Sequence, residues 1–155
     1  MWNGEIKVVT GIRRSGKSVL LFELFVDYLH ENGTVESQII RIELDQRRNY
    51  QYRNPIALCE YVESLVSADS GKQFYLLIDE VQFTQKVVDK ENGGITVSIY
   101  DMLNELNGYK NLDVYVTGSN SKGLSSDIAT EFRGRATQIH VYPLSFAEFY
   151  SAVGG

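Results

Sequence analysis

Two glycines, a lysine and a serine stand at a spacing that suits phosphate binding. Gly11, Gly16, Lys17 and Ser18 fit the pattern G-x-x-x-x-G-K-S within the stretch TGIRRSGKSVLL. Glycine permits backbone angles and a close approach that a side chain would block, so backbone N–H groups can surround an anion. The lysine is placed to reach the β- and γ-phosphates of a nucleotide, and the serine hydroxyl to bind Mg²⁺. The pattern therefore predicts a phosphate-binding loop.

The surroundings of this loop support the prediction. An apolar strand pattern precedes it and an apolar helix pattern follows it, and the positive end of that helix would attract phosphate. The residues expected to contact the nucleotide are Gly11, Ile12, Arg13, Arg14, Ser15, Gly16, Lys17, Ser18 and Val19. Lys17 is also expected to act in catalysis.

An acidic pair, Asp79 and Glu80, closes the apolar stretch FYLLIDE. Ligands bind at the carboxyl ends of the strands in open α/β sheets. We expect Asp79 to hold Mg²⁺, directly or through water, and Glu80 to act as the general base that activates water. Two acids can also simply close a strand, but the phosphate loop favours the catalytic interpretation.

Polar residues also end the next strand pattern, VYVTGSN, and precede the last one. Thr117, Ser119 and Asn120 could orient the attacking water or touch the γ-phosphate, and the residues alone leave Ser119 and Asn120 as alternatives. Turn formation is the competing interpretation. Arg133 and Arg135 could stabilise transition-state charge, in their own subunit or a neighbouring one, or form a surface salt-bridging pair.

Strand and helix patterns alternate along the chain and predict the elements that position these residues. Strands are expected in EIKVVT, SQIIRIEL, QFYLLIDE, NLDVYVTGSN and ATQIHVYPL, with helices between them. Asn54 and Pro55 should begin the second helix, as N-cap and first helical residue. QKVVDKENGGIT is expected to be a mobile loop. The alternation predicts an α/β fold with a parallel sheet between helices.

Composition restricts the class of protein. The chain has 155 residues, about the size of one domain, and a net charge of −5. That charge argues against a chain whose main work is binding nucleic acid. The arginines and tyrosines of QRRNYQYRN could suit a nucleic-acid contact, but an ordinary solvated loop is the favoured interpretation.

Cys59 is the only cysteine and is expected to be buried, which fits a reducing, cytoplasmic setting. No run of residues is long and apolar enough to predict a membrane span.

Together, GIRRSGKS, LLIDEVQ, TGSNS, FRGR and YPLSFAEF resemble the AAA-type ATPase domain of a large prokaryotic family, in which a C-terminal domain follows. The resemblance covers nearly the whole chain, residues 1–155, which we expect to be one domain of a longer protein. It implies a three-layer α/β/α P-loop fold with the sheet order 5-1-4-3-2. The segment before the first strand is shorter than usual, which is expected to reduce affinity for adenine.

The resemblance also implies ligands and roles. The residues implied to bind ATP and Mg²⁺ are Gly16, Lys17, Ser18 and Asp79. Glu80 would be the catalytic base, and Asn120 falls where such ATPases keep a polar sensor. Arg135, with Arg133 nearby, falls where such ATPases place an arginine finger. If the finger acts on a neighbouring subunit, the protein would be a homo-oligomer, and the residues alone leave both arrangements open.

ATP hydrolysis coupled to a change of shape is the leading functional hypothesis. A nucleotide-dependent switch with little turnover is the alternative, and the Glu80→Gln variant separates the two. A GTPase is disfavoured because no N-K-x-D motif is present, and a small-molecule kinase because the acidic pair would activate water. A non-enzymatic interaction module would leave the phosphate loop unexplained.

Overall fold

The computed structural model describes residues 6–11, 20–119 and 136–140. In chain order the strands are β1 (Ile6–Gly11), β2 (Ile39–Glu43), β3 (Phe74–Asp79), β4 (Val87–Asp89), β5 (Ile95–Val97), β6 (Leu112–Ser119) and β7 (Ala136–His140). The α-helices are α1 (Val26–Glu31), α2 (Pro55–Ala68) and α3 (Ile99–Leu106). A π-helical turn, Leu20–Phe25, leads into α1. Short 3₁₀ segments lie at Glu36–Gln38, Arg47–Arg53, Val81–Phe83 and Lys90–Asn92.

Five strands form one parallel sheet in the order β2-β3-β6-β1-β7. Numbered as the five strands expected from the sequence, and starting at the β7 edge, this order is 5-1-4-3-2. The carboxyl ends of the central strands lie side by side, since Gly11 pairs with Ser119 and Ile78 pairs with Val116. The parallel α/β class predicted from the alternating patterns is confirmed.

Apolar side chains cover both faces of the central strands. On one face, Ile78 and Val116 belong to a buried cluster with residues of α2 and α3. On the other face, Leu77 and Tyr115 pack in a cluster with Phe25 and with residues of α1. Because successive strand residues alternate between faces, a strand covered by helices on both sides must be apolar almost throughout. The FYLLI part of β3 shows this composition.

The second helix begins where the sequence predicts. The side chain of Asn54 accepts hydrogen bonds from the backbone N–H groups of Ile56, at 2.9 Å, and Ala57, at 3.4 Å. Pro55 is the first helical residue, where its missing N–H costs nothing. These contacts fix the start of α2, which covers the same face of the sheet as α3.

The prediction of a mobile loop in QKVVDKENGGIT is wrong. Strands β4 and β5 form an antiparallel hairpin there, with Val87 opposite Val97. Asp89 orders the turn by accepting a hydrogen bond from the side-chain amide of Asn92 at 2.7 Å. Gly93 and Gly94 both have positive φ, a conformation that glycine adopts without steric cost. Each strand has only three residues, which is too short for a period-two pattern to be visible in the sequence.

The polar stretch QRRNYQYRN forms the 3₁₀ segment Arg47–Arg53. Arg53 holds it in place: its Nε donates to the carbonyl of Leu44 at 2.9 Å, and its guanidinium lies over the rings of Tyr50 and Phe83. The stretch is mostly exposed, as expected for a solvated segment, and Arg53 anchors it to the chain around it. Within the described part of the chain, no helix is long and apolar enough to cross a membrane.

Candidate functional site

The candidate site lies at the carboxyl edge of the parallel sheet. Gly11 is the last residue of β1, Asp79 is the last residue of β3, and β6 runs between these two strands. Two strand spacings separate their backbones by about 10 Å across the sheet. The fold therefore brings the start of the phosphate-loop motif and the acidic pair to one edge, as the sequence predicts for a nucleotide site.

Thr117 of β6 connects the two acids. Its hydroxyl accepts a hydrogen bond from the backbone N–H of Glu80 at 3.0 Å and donates one to Oδ1 of Asp79. Thr117 is fully buried and Asp79 is only 6% exposed. Hydrogen bonds to a buried carboxylate stabilise its charged form, so Asp79 is suited to hold a cation.

Glu80 has an unusual backbone conformation. Its φ of 61° and ψ of 54° lie in the left-handed region, and among residues 6–11, 20–119 and 136–140 it is the one non-glycine residue with positive φ. This conformation costs roughly 1–2 kcal/mol for a residue with a Cβ, so the surrounding structure must stabilise it. The turn buries Val81, the next residue, while Glu80 itself stays partly exposed. Strained backbone of this kind is frequent at functional sites.

Gln82 is a site residue that sequence reasoning missed. It lies in the 3₁₀ turn Val81–Phe83, and its side-chain amide donates a hydrogen bond to Oε2 of Glu80. The backbone N–H of Phe83 closes the same turn on the carbonyl of Glu80 at 3.0 Å. An amide two residues after an acid is a weak signal in sequence, because the two side chains meet only when a tight turn follows the acid.

Asp79 fits a magnesium ligand. Mg²⁺ prefers oxygen donors and is commonly bound by one or two carboxylates together with phosphate oxygens and water. The Asp79 carboxylate is such a donor, it is buried, and it is oriented by the Thr117 hydroxyl. In the part of the chain that the structure describes, no group of three or more His, Cys, Asp or Glu side chains forms a separate metal cluster.

Several predicted site residues lie outside the described residues: Ile12, Arg13, Arg14, Ser15, Gly16, Lys17, Ser18, Val19, Asn120, Arg133 and Arg135. Their roles stay predictions. The same holds for the helix expected between NLDVYVTGSN and ATQIHVYPL. Gly11 and Ser119 are described by their backbones, which are paired with each other. The structure thus brings together Asp79, Glu80, Thr117 and the strand end from which the phosphate-loop motif starts.

Cys59 is buried, as its sequence context predicts. Its thiol contacts Oε1 of Glu63 at 3.2 Å, and burial is the main cause that raises the pKa of the Cys59 thiol. A raised pKa lowers the fraction of reactive thiolate. Cys59 is therefore part of the core rather than of a reactive site.

A comparison with protein families identifies this architecture. The model of the AAA domain family matches residues 3–150, nearly the whole chain. The chain belongs to the AAA domain family. The resemblance drawn from the loop, the acidic pair and the TGSNS, FRGR and YPLSFAEF stretches is thereby confirmed. As an AAA domain, the chain is of the nucleotide-binding ATPase type.

Two relatives share this domain over almost its full length. An uncharacterized protein of Haemophilus influenzae is 36% identical over 150 residues, which are 95% of this chain and 33% of the relative. An uncharacterized protein of Methanocaldococcus jannaschii is 30% identical over 150 residues, which are 94% of this chain and 28% of the relative. The chain thus spans about a third of the length of these relatives.

A solved structure shows the same fold. The structure of Caenorhabditis elegans PCH-2 superposes with a TM-score of 0.57 at 15% sequence identity, covering 87% of this chain and 33% of that one. At this level of identity the likeness concerns the fold alone. The likeness agrees with the parallel sheet between helices.

Proposed function

We propose that this AAA domain binds ATP together with Mg²⁺ and hydrolyses it to ADP and phosphate. Hydrolysis is proposed to drive a change of shape. The observation that carries the proposal is the network in which Thr117 links Asp79 and Glu80 at the sheet edge where β1 ends in the phosphate-loop motif. A buried, hydrogen-bonded acid next to a partly exposed one supplies two different functions from adjacent residues. The family and the complete G-x-x-x-x-G-K-S pattern support a phosphate ligand.

Each side chain has a distinct task in the proposed reaction. The backbone from Gly11 to Val19 and the Lys17 ammonium bind the phosphates, while Ser18 and Asp79 hold Mg²⁺. The metal ion neutralises charge on the β- and γ-phosphates when it is bound. Glu80 accepts a proton from water as the water oxygen attacks the γ-phosphorus. The bond from that phosphorus to the bridging oxygen breaks, and ADP and inorganic phosphate leave.

Asn120 and Arg135 complete the proposed site. Asn120 directly follows the end of β6, one position after the Ser119 that pairs with Gly11, so it is proposed as the polar sensor of the γ-phosphate. Arg135, with Arg133 nearby, directly precedes β7 and is proposed to stabilise transition-state charge from a neighbouring subunit. The proposal therefore includes a homo-oligomer whose isolated subunits hydrolyse ATP slowly.

A nucleotide-dependent switch with little turnover is the second candidate, and one contact favours it. The Gln82 amide holds the carboxylate of Glu80, the group that must accept a proton from water. A carboxylate engaged in this way is a poorer base until the amide moves. The switch would then respond to bound ATP through the same residues, but would release phosphate rarely.

Two measurements on the complete protein test the proposal. The first is thermal unfolding with Mg-ATP, with Mg-GTP and without nucleotide, using Lys17→Ala as the control variant. Ligand at a hundred times its dissociation constant stabilises the folded state by about 2.7 kcal/mol. We expect stabilisation by Mg-ATP in the natural protein and none in Lys17→Ala. Absence of stabilisation by either nucleotide would contradict the proposal.

The second measurement is phosphate release from Mg-ATP. Multiple turnovers support an ATPase, while tight binding without repeated turnover supports the switch. Both measurements use the complete protein because the chain spans about a third of the length of its relatives.

The buried lone Cys59 suits a reducing, cytoplasmic compartment, which we propose as the location.

A further inference from the structure

We infer that Thr117 is a positioning residue that ties the metal-binding acid to the base, so that a single buried hydroxyl orients both Asp79 and Glu80. This inference rests on the proposed function and assigns to Thr117 a role that the sequence alone left open. The hydroxyl of Thr117 bonds to both residues, is fully buried and lies where the hydrogen bonds between β3 and β6 end.

The direction of the two hydrogen bonds follows from the chemistry of the groups. A backbone N–H can only donate, so the Thr117 oxygen must accept from Glu80 at 3.0 Å. The single hydroxyl proton is then donated to Oδ1 of Asp79, an acceptor when ionised. Thr117 consequently has no proton left to donate to water or phosphate. Its hydroxyl is already bonded to the Asp79 carboxylate and to the backbone N–H of Glu80. Thr117 is therefore a positioning residue rather than a catalytic one.

Burial makes this hydroxyl hard to replace. Thr117 has no exposed surface, and Asp79 has almost none. Water cannot readily take the place of a deleted hydroxyl in so closed an environment, and a buried polar group left without its partner destabilises the folded state. Removing the hydroxyl would disturb the Asp79 carboxylate and the Glu80 N–H at the same time.

The Thr117 hydroxyl provides the next hydrogen bond beyond the end of the backbone pairing between β3 and β6. The register of β3 and β6 runs to the pair Ile78 and Val116, and on the other side of β3 the carbonyl of Asp79 accepts from the N–H of Leu44 at 3.2 Å. The next N–H, that of Glu80, bonds to a side chain because the backbone has turned into the left-handed region. Thr117 therefore stabilises the strained residue whose carboxylate is the proposed base.

The test compares three single variants of the complete protein. Thr117→Val keeps the shape of the side chain and removes the hydroxyl, and Thr117→Ser restores the hydroxyl. Thr84→Val is the matched control, because the Thr84 hydroxyl donates to the carbonyl of Val81 at 2.8 Å in the same turn and has no part in the proposed chemistry. The measurements are kcat and KM for Mg-ATP, the Mg²⁺ concentration that gives half-maximal activity, and thermal unfolding.

We expect Thr117→Val to lose about 10- to 100-fold in kcat and to need more Mg²⁺, as outer partners of metal ligands typically show. Thr117→Ser should recover most of both, and Thr84→Val should resemble the natural protein. In a Glu80→Gln background, Thr117→Val should lower turnover little further. A merely structural role would leave the Mg²⁺ requirement unchanged at temperatures where the variant is folded.

Contrary outcomes are distinct. If the natural protein turns over and Thr117→Val matches it in kcat and Mg²⁺ requirement, the inference about Thr117 fails while the proposed function stands. If the natural protein binds Mg-ATP without turnover, the ATPase proposal fails, and the Mg²⁺ dependence of binding decides: equal dependence in Thr117→Val overturns the inference. If the natural protein does not bind Mg-ATP, both are overturned.

Discussion

A buried acid lies near each end of strand β6, and the two acids differ in their hydrogen bonds. Near its carboxyl end, Asp79 of the neighbouring strand is 6% exposed and accepts a hydrogen bond from Thr117. At its amino end, Asp113 is 1% exposed, and within the described residues neither of its carboxylate oxygens has a hydrogen-bond partner. Its nearest described cation is the ammonium group of Lys7, at 4.0 Å.

The difference shows how the environment of an acid decides what it can do. Burial raises the pKa of Asp113, and the attraction of Lys7 only partly opposes that rise. Burial of the Tyr75 hydroxyl is the main cause that raises its own pKa, and the negative charge of Asp113, its partner across the strands, adds to that rise. At the other end, the Thr117 hydroxyl supplies the hydrogen bond that a buried carboxylate needs. Only the carboxyl end therefore offers an oriented carboxylate for a metal ion.

The largest expected effect is a difference in ATP turnover when the same substitution is made in each of the two acids. Asp79→Asn should lower ATP turnover by at least about 100-fold, the scale seen when a preorganised electrostatic contact is removed. Asp113→Asn should leave turnover within about twofold, because Asp113 lies at the opposite end of the sheet. Steady-state phosphate release from both variants is the measurement. Equal losses would contradict the functional separation of the two ends.

The second prediction concerns the pH dependence of stability. A group whose pKa is higher in the folded state stabilises the fold below its unfolded pKa, and that contribution is lost as the pH rises through the folded pKa. For Asp113 the loss begins near its ordinary pKa of 3.8 and extends upward. Each unit of raised pKa corresponds to about 1.4 kcal/mol. In urea unfolding from pH 4 to 7, the stability of the natural protein should therefore fall relative to that of Asp113→Asn.

The control for that experiment is Asp69→Asn, since Asp69 is an exposed aspartate just after α2. This variant should keep the pH profile of the natural protein. A parallel pH profile for Asp113→Asn and the natural protein would mean that the Asp113 carboxyl is not protonated by burial.

The smallest expected effect is a difference in stability that reports on the left-handed backbone of Glu80. Glu80→Gly should be more stable than Glu80→Ala by about 1 kcal/mol, because glycine adopts the left-handed conformation without the Cβ penalty. At an ordinary helix or strand position the order would be reversed. Chemical denaturation of the two variants measures the difference. Greater stability of the alanine variant would show that Glu80 does not hold positive φ in solution.

The sequence predicted the general position of the site but not its internal connections. The apolar stretch before Asp79 marked the end of a central strand, and the fold confirms the carboxyl edge on which the acidic pair lies. Thr117 was one of three polar candidates, and only the structure shows that its hydroxyl contacts both acids. Gln82 was missed because its contact with Glu80 depends on a left-handed turn that glutamate seldom adopts.

Other features were beyond sequence reasoning for similar reasons. The hairpin of β4 and β5 was missed because its strands are short and its turn is rich in polar residues. Nothing in NLDVYV showed that Asp113 is buried rather than at the surface, since that depends on residues such as Lys7 and Tyr75 from neighbouring strands. Local patterns predict elements well, while long-range pairing decides which polar groups meet.

The role of Glu80 as the general base is tested most directly by phosphate release. The natural protein and Glu80→Gln are compared at equal occupancy with Mg-ATP. Occupancy is matched by measuring the dissociation constant of each protein for Mg-ATP and saturating both. If Glu80 is the base, Glu80→Gln binds Mg-ATP with similar affinity and its turnover falls by at least about 100-fold. Phosphate release at the natural rate by saturated Glu80→Gln would show that another group activates the water.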